Sequence, residues 1–544
     1  MTPWKNQLYF GDNLKILREE IPNEHVDLIY LDPPFNSNAN YNVLFSEKTG
    51  EKSAAQIAVF TDTWQWSTDA ESAYNDLALK AGRLSNLICA LRSFLGTNDM
   101  MAYLCMMAVR LKELHRVLKE TGSLYLHCDP TASHYLKLIL DAIFDSRFYR
   151  NELVWKRTSS HNDAAQGLSR FGKNHDVILF YSKSDSPTWN QQFVPYDEDY
   201  IKSHYGQVEA GTGKRFTTSD LTAAKPGGDT SYPWHGVTPP NGRYWAYSQA
   251  NMQKFETEGR LVYGPKGVPR LKNYLDDMQG VVLGSIWTDI PPINSQAQER
   301  LGYPTQKPEP LLERIIKGSS NEADIVLDPF CGCGTSISVA ERLHRKWIGI
   351  DITHLAITLI RHRLQNAFKT TLAPYEIIGA PSDHAGAVAL ADTDRYQFQW
   401  WALGLVDAKP EDKKKGADKG IDGIIPFMDD SSGKVKKVII QVKSGGVKRS
   451  DISTLKSDVE REKAQVGVFI TLEHPTKPMT EEAATAGFYE PLYGKKIPKI
   501  QILTIEDLLG GKRIELPHYS PAESFKKAPA QKKGTVPEQG SLLS

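Results

Sequence analysis

The chain has 544 residues, and its 65 basic and 65 acidic side chains give a formal net charge of zero. This length predicts three or four domains. No apolar run is long enough to span a bilayer and no signal peptide is predicted, so we do not expect a membrane protein. Zero net charge excludes attraction of nucleic acid by bulk charge, and any DNA-binding face must be a local patch. The five cysteines are scattered without zinc-ligand spacing, which favours a reducing cytoplasm.

The first informative element is the apolar run from Val26 to Leu31, which predicts a strand, followed by Asp32-Pro33-Pro34-Phe35. In an open α/β sheet, ligands bind beyond the carboxyl ends of the strands. The two prolines restrict the backbone, so the Asp32 carboxylate and the Pro33 carbonyl can act as two acceptors facing one point. Two acceptors can hold both hydrogens of an aromatic amine, and the Phe35 ring can stack on the base. The nitrogen lone pair is then turned outward as a nucleophile.

This motif resembles that of the DNA amino-methyltransferases, which use S-adenosylmethionine to methylate the exocyclic amine of adenine or cytosine. The resemblance implies that double-stranded DNA is the partner and that four residues are catalytic, namely Asp32, Pro33, Pro34 and Phe35. Asp in the first place is usual for adenine methylation in this family, whereas cytosine enzymes more often carry Ser. We therefore expect N6 of adenine as the target, with N4 of cytosine as the alternative.

Two variable regions interrupt the methyltransferase motifs. Residues 36–95 form an insertion that we expect to cover the active site, with Phe60, Trp64 and Trp66 as candidates for closing over DNA. Residues 187–298 carry aromatic side chains interleaved with basic ones, and by position they predict the target-recognition region. The alternative for any single aromatic residue there is that it belongs to the region's own core.

The cofactor half comes near residue 300. The run from Ile325 to Asp328 predicts a strand that leads through a glycine-rich turn into a helix, and a second strand ends at Asp351. A helix N-terminus favours a carboxylate, and an acid at the next strand end can accept from ribose hydroxyls. No phosphate-binding lysine follows Gly334, which argues against a P-loop. The resemblance implies that the cofactor is bound by Asp12, Thr305, Lys307, Asp328, Phe330, Gly332, Gly334, Thr335 and Asp351.

The order of these motifs, with the catalytic half first, resembles the β arrangement, which is also that of type III modification subunits. It predicts a Rossmann-like α/β methyltransferase fold with an inserted recognition region. The predicted domains are a catalytic half (1–186), a target-recognition region (187–298), a cofactor-binding half (299–370), a linker (371–394), a nuclease-fold domain (395–512) and a disordered tail (513–544).

The C-terminal segment has the predicted order α-β-β-α-β with Asp422, Gln441 and Lys443 on its strands, which resembles the Mrr branch of the restriction-endonuclease-like fold. Strand alternation places Gln441 and Lys443 on one face. The resemblance implies a Mg²⁺-dependent nuclease, with Asp422 and Gln441 at the metal and Lys443 beside the scissile phosphate. The acid that such folds often carry on the upstream helix is missing, and Gln399 sits near its place.

Three functions are compatible with these motifs. The chain is a single-chain restriction–modification protein, a methyltransferase whose C-terminal domain only binds DNA, or a modification subunit that needs a separate motor-nuclease partner. No Walker motif occurs, so ATP-driven translocation is not expected of this chain. A homodimer and a restriction-system subunit are the candidate protein partners.

Overall fold

The computed structural model describes residues 4–34, 66–158 and 171–516, except residues 226, 295, 296, 298, 302, 304, 305, 412–419, 429–434 and 492–494. Phe35, Thr305, Phe60 and Trp64, four residues singled out above, lie outside the described residues. The chain divides into two compact units, of which the first contains Met1–Asn190 and Ser285–Val536 and the second contains Gln191–Gly284.

The described strands and helices are named in chain order. The strands are β1 Asn6–Phe10, β2 Val26–Leu31, β3 Leu118–Cys128, β4 Tyr149–Lys156, β5 His175–Ser182, β6 Phe193–Val194, β7 Gln207–Val208, β8 Arg215–Asp220, β9 Thr222–Ala223, β10 Tyr244–Trp245, β11 Leu261–Tyr263, β12 Pro269–Tyr274, β13 Val281–Val282, β14 Ile286–Trp287, β15 Ile325–Asp328, β16 Lys346–Asp351, β17 Tyr375–Ile378, β18 Lys409–Pro410, β19 Gly423–Phe427, β20 Lys436–Lys443, β21 Val466–Thr471, β22 Phe488–Tyr489, β23 Ile497–Pro498 and β24 Ile500–Thr504. The helices are α1 Asn13–Glu19, α2 Thr68–Ala78, α3 Arg83–Leu95, α4 Asp99–Val117, α5 Pro130–Phe144, α6 Glu198–His204, α7 Gln249–Thr257, α8 Glu309–Ser319, α9 Thr335–Arg342, α10 His354–Phe368, α11 His384–Thr393, α12 Arg395–Leu405, α13 Arg449–Arg461, α14 Lys477–Ala484 and α15 Ile505–Leu509.

The first unit is built on a nine-stranded sheet with the order β14-β4-β5-β3-β2-β15-β16-β1-β17. Every neighbouring pair is parallel except the two pairs made by β5. β2 and β15 are buried along their whole length, as expected for apolar runs in the middle of a parallel sheet. They pair directly, with Leu28 opposite Val326, so residues about 300 positions apart end at one edge of the sheet. The predicted Rossmann-like α/β architecture is confirmed.

The second half of the predicted insertion belongs to the main core. Leu77 of α2 and Ile88 of α3 are buried among the residues that cover the sheet. Trp66 donates a 2.9 Å hydrogen bond to Glu71, and the Arg92 guanidinium lies 4.9 Å above its ring. The indole of Trp66 is therefore held by its own neighbours in the free protein.

The second unit contains a four-stranded sheet of order β11-β12-β8-β7 and two short pairs, β9 with β10 and β6 with β13. Its core includes Trp245, which is fully buried and donates a 2.8 Å hydrogen bond to the Tyr232 carbonyl. Tyr232 and Trp234 pack in the same cluster. These three aromatic residues serve the unit's own core, which was the alternative to a DNA contact.

The C-terminal part of the first unit has a second sheet, with the order β18-β19-β20-β21-β24. α12 packs on one face and α13 with α14 on the other. The range 371–394, predicted to be a linker, contains β17 and α11. β17 pairs with β1, and Ala387 and Ala391 of α11 are buried in the C-terminal core, because small side chains allow close packing. Among the residues that the structure describes, no helix has the length and apolar character needed to cross a membrane.

Candidate active site

Three carboxylates lie at the carboxyl edge of the central strands. Asp32 follows β2, Asp328 ends β15 and Asp351 ends β16. Because these strands are parallel and β15 pairs with both others, their ends meet at one edge. The two main motifs found in the sequence therefore meet in space.

Asp32 forms an ion pair with Lys307, and only 15% of the first side chain and 13% of the second is exposed. The sequence predicted Lys307 beside the carboxylate of a cofactor. In the free protein the lysine instead neutralises the carboxylate that is expected to hold the amine. Pro33 and Pro34, which follow Asp32, are respectively a buried and a half-buried residue of the same loop.

The glycine-rich turn between β15 and α9 requires left-handed backbone at two positions, since φ is +50° at Gly332 and +72° at Gly334. A Cβ at Gly332 would lie 3.2 Å from the ring of Tyr303, and one at Gly334 would lie 2.7 Å from Ile360. The sequence attributed these glycines to the approach of a ligand. The structure adds close packing against Tyr303 and Ile360 as a second reason.

Asp328 and Asp351 hold the backbone of this turn. Asp328 accepts a 3.0 Å hydrogen bond from the Phe330 N–H and another from the Ser336 hydroxyl. Asp351 accepts from the Gly332 N–H and the Thr353 N–H, each at 2.9 Å. Burial raises the pKa of Asp328 to about 7 and that of Asp351 to about 6, although these hydrogen bonds lower both values in part.

Asp12 lies beside Asp351, because β1 pairs with β16 and Phe10 is opposite Asp351. It caps α1 through 2.7 Å and 3.1 Å hydrogen bonds from the Leu14 and Lys15 N–H groups. Its other oxygen accepts from Arg110 at 2.9 Å. The Asp12 side chain is still 46% exposed, which leaves it accessible to a ligand at this edge.

Thr335 and Phe330 complete the predicted cofactor set. The Thr335 hydroxyl accepts a 3.0 Å hydrogen bond from Arg363 of α10, whose guanidinium also reaches the Cys333 carbonyl at 3.2 Å and Glu309 at 2.8 Å. Phe330 is half-buried against the main core. Thr335 therefore anchors the turn to α10, a role that the sequence did not suggest.

Two groups at this edge were missed from the sequence. Tyr303 lies against Gly332, and burial together with the charges of Asp351 and Asp32 raises its pKa well above 10. Behind Asp32, the buried His127 ring joins the Tyr30 hydroxyl at 3.0 Å to the Asp176 carboxylate at 3.1 Å. The sequence signal that could have identified this group is the presence of His127 and Asp176 within otherwise apolar strands. A polar side chain in a buried strand needs a buried hydrogen-bond partner.

In the C-terminal domain the three predicted nuclease residues are held by other groups. Asp422 accepts a 2.8 Å hydrogen bond from the Gln399 amide on one oxygen and a 2.7 Å bond from the Val442 N–H on the other. Gln441 donates to Asp458 at 2.7 Å, and Lys443 pairs with Asp451 at 3.2 Å.

These contacts do not suit a metal ion. An amide N–H of Gln399 faces the carboxylate that should bind Mg²⁺, which takes oxygen ligands. The described part of the chain contains no group of three or more His, Cys, Asp or Glu side chains that could hold a metal. A cavity of about 280 Å³ lies nearby, lined by residues that include Arg395, Gln399 and Lys443.

The chain was then compared with known proteins. Residues 396–510 match the family model "NACHT-associated inactive Restriction Endonuclease 1", so a restriction-endonuclease-related domain is present, while assignment to the Mrr branch stays a prediction. The type II methyltransferase M.EcaI of Enterobacter cloacae is 27% identical over 66% of this chain and 69% of its own length. The Mod subunit of the type III enzyme StyLTI of Salmonella typhimurium is 27% identical over 63% and 50%. The DNA adenine methyltransferase YhdJ of Escherichia coli is 26% identical over 66% and 82%.

A second family model covers the two halves of the candidate active site. The model of the DNA methylase family matches residues 26–361, which include β2 and Asp32 as well as β15, the glycine-rich turn and Asp351. Since this match spans more than half of the chain, the protein belongs to the DNA methylase family.

Proposed function

We propose that this protein transfers a methyl group from S-adenosylmethionine to the N6 amine of adenine at specific sites in DNA. The observation that carries the proposal is the meeting of Asp32 and Asp328 at the ends of paired parallel strands. One strand end supplies acceptors for an aromatic amine. The other supplies a glycine turn, a helix N-terminus and two acids, the buried Asp328 and the half-buried Asp351. These groups suit a ligand with a carboxylate, an ammonium and a ribose.

The chemistry needs positioning more than activation. The cofactor, when bound, supplies an electrophilic methyl group on a sulfonium. The target base must leave the duplex, because its amine is otherwise paired and out of reach. Asp32 and the Pro33 carbonyl would accept the two amine hydrogens and direct the nitrogen lone pair toward the methyl carbon. No covalent enzyme intermediate is required, and orientation accounts for most of the acceleration.

Lys307 has to change partners in this scheme. In the free protein it neutralises Asp32. The cofactor carboxylate offers the lysine an alternative partner, and Asp32 is then free to accept the amine. The proposal therefore requires the Lys307 ammonium to leave Asp32 when the cofactor carboxylate binds.

Asp32→Ala tests the assignment. The variant should lose incorporation of labelled methyl groups into DNA while it retains binding of S-adenosylmethionine. Asp76→Ala, which removes an exposed carboxylate that pairs with Arg18 on the surface, is the control and should methylate like the wild type. Persistent methylation by Asp32→Ala would refute the proposal.

The base is a separate question. The Asp-first motif and the resemblance to YhdJ, a DNA adenine methyltransferase by name, support adenine over N4 of cytosine. Nucleoside mass spectrometry of treated DNA distinguishes the two products directly, and methylcytosine without methyladenine would refute the adenine assignment.

For the C-terminal domain we favour the alternative in which it contacts DNA without cutting it. The support is the set of hydrogen bonds that occupy both oxygens of Asp422. The Mg²⁺-dependent nuclease stays a prediction, as do the homodimer and the restriction-system partner. Plasmid incubated with the full chain and Mg²⁺ or Mn²⁺, in unmodified and premethylated form, should remain intact. Cleavage of either form would overturn this choice and restore the nuclease.

A further inference from the structure

One face of α10 packs against the glycine-rich turn at the sheet edge where the cofactor is expected to bind, which we call the cofactor pocket. Ile360 packs against Gly334, and Arg363 donates to the Cys333 carbonyl at 3.2 Å. His354, at the start of α10, stacks on Phe10 with ring centroids 3.6 Å apart. Phe10 is opposite Asp351 in the sheet. A shift of α10 would therefore move both the glycine turn and the acid expected to bind ribose.

The other face of α10 packs on α12, the first helix of the restriction-endonuclease-related domain. The His354 N–H donates a buried 3.1 Å hydrogen bond to the side-chain carbonyl of Gln397. Gly404 approaches so closely that a Cβ there would lie 2.5 Å from the Thr358 hydroxyl. Arg361 donates to the Gly404 carbonyl at 2.6 Å and pairs with Asp407 at 2.7 Å.

A second contact runs from α12 to the pocket without passing through the α10 backbone. Trp400 forms a buried apolar cluster with Leu355 and Leu359, and the ring of Tyr303 packs against this cluster. Tyr303 in turn lies 3.2 Å from the position of a Cβ on Gly332. Trp400 thus belongs to the cluster that supports a side chain next to the glycine turn.

We propose that Trp400 and Gln397 are positioning residues for the cofactor pocket, acting through Tyr303 and α10. The restriction-endonuclease-related domain then contributes to methyl transfer itself, without any need for cleavage. This inference rests on the proposed function only in taking S-adenosylmethionine as the ligand. It assigns a role to residues outside the 26–361 match of the DNA methylase family.

The test compares neighbouring tryptophans of α12 in the full chain. Trp400 and Trp401 are 8% and 6% exposed, but Trp401 packs inside the C-terminal core and not in the cluster with Tyr303. Trp400→Ala should raise KM for S-adenosylmethionine roughly 3- to 30-fold, the range expected for residues that couple to a site without touching its ligand. Its kcat should stay within about two-fold, because the acceptors for the amine are untouched.

Trp401→Ala is the matched control. This variant should destabilise the domain about as much as Trp400→Ala does and leave KM for S-adenosylmethionine near the wild-type value. KM is measured below the unfolding transition of each variant. Gln397→Ala provides a milder variant that should raise KM in the same direction if Trp400→Ala does not fold. Gly404→Ala places a Cβ 2.5 Å from the Thr358 hydroxyl, so it should raise KM by displacing α10.

Each outcome bears on the inference. An unchanged KM in Trp400→Ala, Gln397→Ala and Gly404→Ala, with an active wild type, would overturn the positioning role alone. An equal rise in Trp401→Ala would also overturn it, because the effect would then follow from loss of domain stability. Failure of the wild-type chain to bind S-adenosylmethionine would overturn the proposed function as well.

Discussion

Binding of S-adenosylmethionine should weaken as the pH falls from 8 to 6, because Asp328 is protonated over this range. The methionine end of the cofactor carries an ammonium, and a carboxylate must be ionised to pair with it. With a pKa of about 7 in the free protein, Asp328 is mostly ionised at pH 8 and about one-tenth ionised at pH 6. The apparent dissociation constant should therefore rise about ten-fold between these values. Protonation of Asp351, which has a pKa of about 6, should raise the apparent dissociation constant at pH 6 by a further factor of roughly two at most.

The same pKa sets the sign of the effect on stability. The folded-state pKa of Asp328 lies above its usual 3.8, so the free protein prefers the protonated form. The contribution of Asp328 to stability is then fully present below pH 4 and is lost as the pH rises through about 7. Asp328→Asn keeps an acceptor for the Phe330 N–H and removes the titratable group. The affinity of this variant for S-adenosylmethionine should therefore depend less on pH than that of the wild type.

Calorimetry at pH 6, 7 and 8 measures the affinity, and buffers of different ionisation enthalpy report the protons released on binding. The wild type should release about half a proton at pH 7. Asp328→Asn should bind more weakly at pH 8 and show at most the two-fold dependence left to Asp351. A flat wild-type affinity between pH 6 and 8, or an unchanged ten-fold dependence in Asp328→Asn, would refute the reasoning.

Three further predictions use other contacts of the site. Gly334→Ala should lose roughly 1–3 kcal/mol more free energy of unfolding in denaturant than Gly96→Ala. Both positions have φ near +70°, but only Gly334 faces a neighbouring side chain, that of Ile360. Equal losses in the two variants would contradict the packing argument. Lys307→Gln should weaken cofactor binding about 10- to 100-fold, as expected for losing a hydrogen bond to a charged group. Lys317→Gln, which removes a half-buried pair with Glu313, should not weaken it. Gln399→Glu should place a second carboxylate beside Asp422. The thermal unfolding midpoint of this variant should rise on addition of Mg²⁺, while that of the wild type should not change. An identical change in both proteins would contradict the account of why the site does not suit a metal.

The sequence was sufficient for the two central strands β2 and β15 and for the placement of both motifs at their carboxyl ends. Apolar runs that end in Asp32 and Asp328 predict buried parallel strands, and parallel strands place their carboxyl ends together. The order α-β-β-α-β of the C-terminal domain was visible for the same reason. These features depend on local patterns of apolar residues, which a single sequence displays directly.

Contacts between distant side chains could not be predicted in this way. The sequence suggested that Lys307 lies near the cofactor, but not that it pairs with Asp32 while the site is free. It identified Gln399 as occupying the place of an acid, but not that its amide bonds to Asp422. The segment 371–394 looked like a linker because it contains Pro374, Pro381 and several small residues. In the folded chain the small side chains of Ala387 and Ala391 let α11 pack closely in the C-terminal core.

The Asp32–Lys307 pair also connects the two halves of the reaction. A half-buried carboxylate without a partner would be costly, and the lysine removes that cost in the free protein. The same pairing makes Asp32 a poor acceptor for an amine until Lys307 is drawn elsewhere. The carboxylate of S-adenosylmethionine is the anion that can do this, so cofactor binding and preparation of the amine site become one event. Trp400 and Gln397 act on the cofactor side of this event, because they support the turn at which that carboxylate is expected to bind.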